Sequence, residues 1–375
     1  MNNTGKISIF IPVYRESELI GQTLAFLLND PYKEKEIFVV IDEPTQKSIE
    51  IVEEFSQRGV HFRLNGERKG KANALNEVVK ESSGDIFLFL DADVLIDETA
   101  GGNFLGTIAK EMENAEIVEI KKEVIRDSFV AKIAGYDYIG FALASLYFSQ
   151  KIGRCLAING AAFAIKRETF EELGGFRRTI CEDLDIATRS FANGTRFKFI
   201  SDLTVFTKAP SSLRGWFNQR KRWAIGAAFW VKDHFRTLRR ALRKHPRVIA
   251  LSLLSAFPSI PLLLMSLFIP DEIFTKALYM LLLLFSTTTS LLIFPAAFTS
   301  VIIPAMKSLA MLLGSFLGYS ATFYLLAKKL RFHFNLPEFA VYYFIAAPLW
   351  LMLTVTLLIR LCIKKNSKVN IDWKV

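Results

Sequence analysis

With 375 residues and a formal charge of +10, the chain is long enough for one sizeable domain and something besides it. The positive charge is concentrated between Lys198 and Arg247, where Arg236, Arg239, Arg240, Arg243, Lys244 and Arg247 abut a strongly apolar stretch. Basic residues so placed read as the cytoplasmic flank of a membrane span, facing anionic lipid rather than nucleic acid. Cys155, Cys181 and Cys362 lie far apart, and His61, His234, His245 and His333 are scattered, which excludes a disulfide framework and a Cys/His metal centre.

Ile7–Val13 reads as a buried strand, too short and too strand-like for a signal peptide, so the soluble domain is expected in the cytoplasm. A helix near Glu18–Leu28, a strand at Glu36–Ile41, a helix near Gln46–Arg58, a short strand near His61–Leu64, a helix over Lys71–Glu81 and a strand at Asp85–Leu90 follow. That alternation predicts right-handed βαβ units and a mostly parallel central sheet, an α/β fold. The first strand lacks a Gly-rich dinucleotide fingerprint behind it, which argues against a dehydrogenase.

Residues 117–121 and 157–165 are expected as further strands. The apolar-aromatic helix predicted at Phe129–Phe148 is placed on a membrane surface or beneath the site, and Leu213–Phe235, dense in Trp and Arg, is read as interfacial. Trp216 and Trp230 are assigned to an interfacial belt. Apolar runs of spanning length, roughly 20 residues, follow at Val248–Ile269, Phe274–Phe298, Ser308–Ala327 and Phe339–Ile363. Four crossings return Lys364-Lys365 to the cytoplasm, while Pro295, Pro304 and Lys307 also permit a hairpin and three crossings. The organisation expected is a cytoplasmic domain over 1–235, a basic juxtamembrane linker over 236–247, a transmembrane bundle over 248–363 and a cytoplasmic tail over 364–375, a multi-pass protein of the cell membrane.

The strand at Ile86–Leu90 ends in Asp91-Ala92-Asp93. Ligands of open α/β sheets sit at the carboxyl ends of strands, and residues i and i+2 of an extended segment point the same way. Asp91 and Asp93 can therefore converge on one hard cation, or on a ribose and a cation together. Further clusters are Pro12-Val13-Tyr14-Arg15-Glu16 after the first strand, Asp42-Glu43-Pro44 after the second, Lys69-Gly70-Lys71-Ala72-Asn73 at the start of a helix, Cys181-Glu182-Asp183-Leu184-Asp185, and Gln219-Arg220-Lys221-Arg222-Trp223.

In order and residue type these clusters resemble the D, DxD, ED and QxxRW motifs of the membrane-embedded family 2 glycosyltransferases of GT-A fold, a branch that includes cellulose, chitin, hyaluronan and poly-N-acetylglucosamine synthases and ceramide glucosyltransferase. The resemblance implies a GT-A domain followed by interfacial helices and a transmembrane bundle. It also implies a UDP-sugar donor, Mg²⁺ or Mn²⁺ held by Asp91 and Asp93, and Asp183 as the general base with Glu182 orienting the acceptor or tuning its proton affinity. Pro12, Tyr14, Glu16, Asp42, Lys71, Asp91 and Asn159 are the expected nucleotide-sugar contacts, with Asp42 accepting the uracil N–H and Tyr14 stacking. Gln219, Arg222 and Trp223 are expected at the acceptor and diphosphate. Glu43, Pro44 and Cys181 depart from the family's usual residues without removing a carboxylate the chemistry needs.

The chemistry is consistent with that resemblance: sugar transfer needs a base-recognition site, neutralisation of a leaving diphosphate and a proton acceptor for the incoming hydroxyl. The expected activity is inverting transfer of a hexose or N-acetylhexosamine in β-linkage to a growing polysaccharide. Single addition to a membrane lipid remains the alternative acceptor. A sugar or lipid translocator with a regulatory nucleotide-sugar domain is the reading from a different class.

Overall fold

The computed structural model describes residues 5–97, 102–260 and 302–363, with isolated helical positions between 272 and 284. The chain divides into two units, one of residues 1–256 with 352–375 and one of 257–351. In the first unit the apolar runs become β1 (Ile7–Tyr14), β2 (Lys35–Asp42), β3 (Val60–Asn65) and β4 (Ile86–Leu90), followed by β5 (Val94–Ile96), β6 (Ile117–Val124), β7 (Ala162–Lys166) and β8 (Phe197–Thr207). The helices are α1 (Ile20–Asn29), α2 (Gln46–Ser56), α3 (Lys71–Val78), α4 (Phe104–Met112), α5 (Phe129–Lys151), α6 (Arg167–Glu172), α7 (Glu182–Asn193), α8 (Leu213–Lys244) and α9 (Pro246–Ala256).

The strands form one eight-stranded sheet in the order β3-β2-β1-β4-β7-β6-β8-β5. It is parallel from β3 to β4 and mixed beyond. The change comes at β7, which is entered from a turn at the carboxyl end of β4 and so runs back along it, Leu90 facing Ala162. β1 matches β2 along its whole length but pairs with β4 only as far as Phe10↔Phe89. Pro12, which has no N–H to give, lies past that last pair, where a central strand tolerates it. Because strand order reverses between β1 and β4, a crevice opens at their carboxyl ends, where α/β sheets bind ligands.

Period-two alternation sorts the core into two faces. Ile7, Ile9, Ile11, Ile86, Leu88 and Leu90 join an aliphatic cluster with Leu24 and Leu27 of α1 and Leu105 and Ile108 of α4. On the other face Phe10, Phe87, Phe89 and Phe163 meet Phe170 and Phe176, with ring centroids 4.9 Å apart for Phe89–Phe176 and 5.2 Å for Phe89–Phe163. Ser128 and Ser212 cap α5 and α8 through their side-chain oxygens, and Thr45 with Ser48 closes a capping box on α2, each supplying an acceptor to an otherwise orphan N–H.

Three helical expectations are refined. α5 is long and apolar enough to cross a membrane, yet 67% of its apolar window is buried within the protein; it packs against β6, β8 and α9, beneath the sheet. α8 continues through the expected boundary at 235/236 to Lys244, since neither glycine nor proline interrupts it between Ala227 and His245. Trp216 is buried, and the Trp230 indole donates to Thr188 Oγ1 at 2.7 Å. Both therefore dock α8 on the domain rather than form an interfacial belt. α9 covers the start of the expected span Val248–Ile269, which beyond residue 260 lies outside the described residues; Phe274–Phe298 lies outside them apart from isolated helical positions.

The second unit holds α10 (Ile302–Leu330) and α11 (Leu336–Val341), with the start of α12 (Ala347–Ile363), joined to α11 by one wide helical turn at Tyr342–Ala346. Met306–Leu330 and Leu336–Arg360 are long and apolar enough to span a membrane. Phe316 and Phe323 of α10 stack with Phe339, and Ser315 bonds the Tyr343 hydroxyl at 2.5 Å.

Glu36 latches the amino end of the sheet, accepting from Ser8 Oγ at 2.6 Å, Lys6 Nζ at 2.6 Å, Ser83 N at 2.6 Å and Gly84 N at 3.1 Å. Burial opposes its charge, but these donors outweigh that and lower its pKa from 4.5 to about 2. A depressed carboxylate contributes stability above its unfolded pKa and loses it as pH falls through the folded one. We expect Glu36→Gln to cost about 2 kcal/mol at neutral pH. In acid denaturation, its difference from wild type should shrink between pH 4.5 and about 2.

Candidate active site

Strand ends and helix starts bring the acidic clusters to the crevice. Asp91 leaves β4 with its N–H bonded to Ala161 O at 2.9 Å. Lys71, the first residue of α3, places Nζ 2.6 Å from Asp91 Oδ1 and 3.1 Å from Glu182 Oε1. Glu182 and Asp183 open α7, where the helix dipole favours negative charge. Asp183 Oδ2 accepts from Gly160 N at 2.9 Å and Oδ1 from Leu184 N at 2.8 Å. A Cβ at Gly160 would stand 2.9 Å from the Asp183 side chain, so only glycine lets the backbone come this close.

The electrostatics follow from that crowding. Burial and the neighbouring Glu182 charge raise the Asp183 pKa to about 6, against the pull of Lys71 and the two backbone donors. Burial opposes the Lys71 charge, but Asp91, Glu182 and Asp183 overcome it and hold its pKa above the ordinary lysine value. The protein packed around Asp93 and the Asp91 charge raise the Asp93 pKa, with Lys71 and Arg222 opposing. A divalent cation would relieve that condition, and Asp91 and Asp93 are hard oxygen donors of the kind that suits Mg²⁺ or Mn²⁺. Among the described residues there is no group of three or more His, Cys, Asp or Glu side chains arranged to hold a metal. A cation here would complete its shell with substrate oxygens and water, as such ions commonly do.

Asp42, at the end of β2, is buried and accepts from Asn65 Nδ2 at 2.8 Å, Lys69 N at 3.0 Å and Gly70 N at 2.9 Å. A carboxylate offers about four acceptor sites, and these three donors pin the loop into α3. Gly70 holds φ +81 there, a conformation that favours glycine. Tyr14 donates to Glu43 Oε2 at 3.0 Å, and the Arg68 guanidinium lies 4.0 Å from its ring centroid. Arg68 thus covers one face of the Tyr14 ring. Arg15 and Glu43, successors to β1 and β2, both adopt left-handed φ and pair at 3.3 Å. Backbone strain of that kind clusters at binding sites.

Glu16 is engaged elsewhere, with Thr45 Oγ1 and Lys47 at the start of α2. Asn159 is in the turn ahead of β7, its side chain accepting from Ala161 N at 3.1 Å. Gln219, Arg222 and Trp223 share α8, where Arg222 is near enough to act on Asp93. Sequence reasoning missed what holds them. Arg220, fully buried, donates to Asp137 Oδ2 at 2.6 Å and lies 4.3 Å over the Trp223 ring. The legible signal was Asp137 itself, a lone acid inside an apolar helix.

Residues 8–174 match a family model described as Glycosyl transferase family 2. The chain carries a family 2 glycosyltransferase domain. Over 240 residues, 62% of this chain and 57% of the relative, it is 28% identical to the Probable glycosyltransferase YdaM of Bacillus subtilis (strain 168). It is 27% identical, with the same coverage, to the poly-beta-1,6-N-acetyl-D-glucosamine synthase of Staphylococcus epidermidis. The chain thus spans less than two thirds of these curated relatives. A solved mannosyltransferase from Pyrobaculum calidifontis, in complex with GDP-Man and Mn²⁺, superposes with TM-score 0.51 at 20% identity, covering 83% of this chain and 87% of that one. The transferase domain has the GT-A fold. The family match ends before Glu182-Asp183 and α8.

The Arg220–Asp137 pair gives a direct test of how the transferase domain seats α8. Asp137→Ala should destabilise the protein by about 3–5 kcal/mol, while Asp137→Leu with Arg220→Met recovers much of that loss. Chemical denaturation followed by tryptophan fluorescence reads both.

Proposed function

We propose that the protein is an inverting, metal-dependent glycosyltransferase at the cytoplasmic face of a membrane, moving a hexose or N-acetylhexosamine from a UDP-sugar to a growing polysaccharide in β-linkage. The observation that carries this reading is Lys71, whose ammonium joins Asp91 on the donor side to Glu182, beside Asp183, on the acceptor side within 3.1 Å. The polysaccharide synthase among the relatives supports the acceptor class, and the Mn²⁺ in the solved neighbour supports a divalent ion.

In this mechanism Asp183 takes the proton of the acceptor hydroxyl while that oxygen bonds to the anomeric carbon and the bond to the UDP oxygen breaks. One displacement inverts an α-linked donor to a β product. Glu182 orients the hydroxyl and keeps the proton affinity of Asp183 high. Asp91 and Asp93 would hold a divalent ion, which would supply Lewis-acid stabilisation of the charge on the departing diphosphate. Lys71 and Arg222 add positive charge there, fixed in place before the reaction begins. Asp42 receives the imide N–H of the base, and Tyr14 flanks the nucleoside. Trp223 offers a flat face to a sugar ring of the acceptor.

Full-length protein in lipid with Mn²⁺ and radiolabelled UDP-glucose, UDP-N-acetylglucosamine or GDP-mannose should put label into high-molecular-weight product with a UDP-sugar. Label confined to the lipid extract would replace the polymer acceptor by a lipid. Label only from GDP-mannose would overturn the donor, and no label would sink the activity. Asp183→Asn should lower kcat by about 10²- to 10⁴-fold with donor KM little changed. Because the base works ionised, kcat of the wild type should fall as pH drops through about 6, a limb absent from the variant's residual rate.

A further inference from the structure

The roles given to the crevice carboxylates leave unexplained why the strand behind them buries charge. Glu119, Lys121 and Lys122 of β6 are 3%, 2% and 4% exposed. Desolvation offsets most of what a buried ion pair gains, so stability alone is a poor account of it. The hydrogen bonds supply another. Glu119 Oε1 accepts from Lys122 Nζ at 3.0 Å and from the Asn159 backbone N–H at 3.3 Å, and Oε2 accepts from Ser145 Oγ at 2.8 Å.

The turn that Glu119 grips is a junction. Its three consecutive residues reach three places: Asn159 N–H to Glu119, Gly160 N–H to Asp183, and Ala161 C=O to the Asp91 N–H. Asn159 Oδ1 closes the turn on Ala161 N. The carboxylates on the acceptor and donor sides thus share one short piece of backbone, fastened from below by one buried acceptor. A carboxylate suits that place because it accepts from an ammonium, a hydroxyl and an amide at once without presenting a donor.

We propose that Glu119, held by Lys122 and Ser145, is a positioning residue that fixes the Asn159–Ala161 turn and through it the spacing of Asp183 from Asp91. The anchor stands on geometry alone; its consequence for catalysis rests on the transferase reading above. The crowding of Gly160 against Asp183 sharpens the dependence, since a small shift of the turn moves the carboxylate with it.

The test uses the full chain in lipid, with Ser145→Ala and with Glu119→Leu combined with Lys122→Met, which removes both buried charges and the acceptor of the Asn159 N–H at similar volume. Hydrogen exchange of the peptide covering the turn, read by mass spectrometry, should accelerate about tenfold in the double variant while β1 and β4 keep their protection. Displacement of this order should lower kcat by about 10- to 100-fold with donor KM within about threefold. If the double variant loses protection in β1 and β4 as well, Ser145→Ala decides, with smaller changes of the same pattern expected. Unchanged exchange at the turn overturns the anchor. Faster exchange with unchanged kcat overturns its link to chemistry. A wild type that transfers no sugar would sink the function, while exchange at the turn still decides the anchor.

Discussion

The ammonium of Lys71 is the interaction on which the crevice depends. Asp91, Asp93, Glu182 and Asp183 are gathered at the ends of β4 and the start of α7, and like charges about 4 Å apart repel by about 4 kcal/mol even at an effective dielectric of about 20. One cation bonded to a carboxylate on each side removes much of that repulsion. Helix geometry keeps it there. As the first residue of α3, Lys71 is placed by the loop that Asp42 pins through two successive backbone N–H groups. Asp42 thus bears on the carboxylates without touching them.

The sheet divides the work by composition. Its middle, β2, β1 and β4, is parallel and largely apolar on both faces, which gives a rigid floor and carries the first strand ends to the crevice. From β7 onward it is mixed and carries buried charge, Glu119, Lys121 and Lys122 among the side chains of β6. Such charges are tolerated only where each meets a partner. The sheet therefore becomes costlier toward β6, the strand that carries the anchor of the turn against Asp183.

Legibility in the sequence follows the same division. β1, β2 and β4 read as apolar runs because parallel strands are covered on both faces, and the carboxylates at their ends were found with them. β6 was seen only over 117–121, because Lys121-Lys122-Glu123 looks like a solvated stretch and its burial depends on Ser145 and the distant turn. β8 was missed: Ser201 and Asp202 interrupt its alternation near a shift of register against β6. β5, three residues long, directly follows the acidic pair. In the crevice, Asp91, Glu182 and Asp183 with Lys71 were recognisable by type and order. Arg220 with Asp137 was not, since 83 residues separate them. Local pattern says which faces are apolar, but not which buried acid a distant arginine will meet.

α8 runs 32 residues from Leu213 to Lys244, a rod about 48 Å long at 1.5 Å per residue. Its early turns carry Trp223 and Arg222, and its last carry Arg236, Arg239, Arg240 and Arg243. Between them Trp230 and His234 fasten it to Thr188 and Asp185 of α7. With Arg220 bonded to Asp137 as well, the rod is fastened both at its tryptophan end and near its middle. The arginine-rich turns and the turns that carry Arg222 and Trp223 therefore belong to one continuous helix, with no break between them to absorb a displacement of either end.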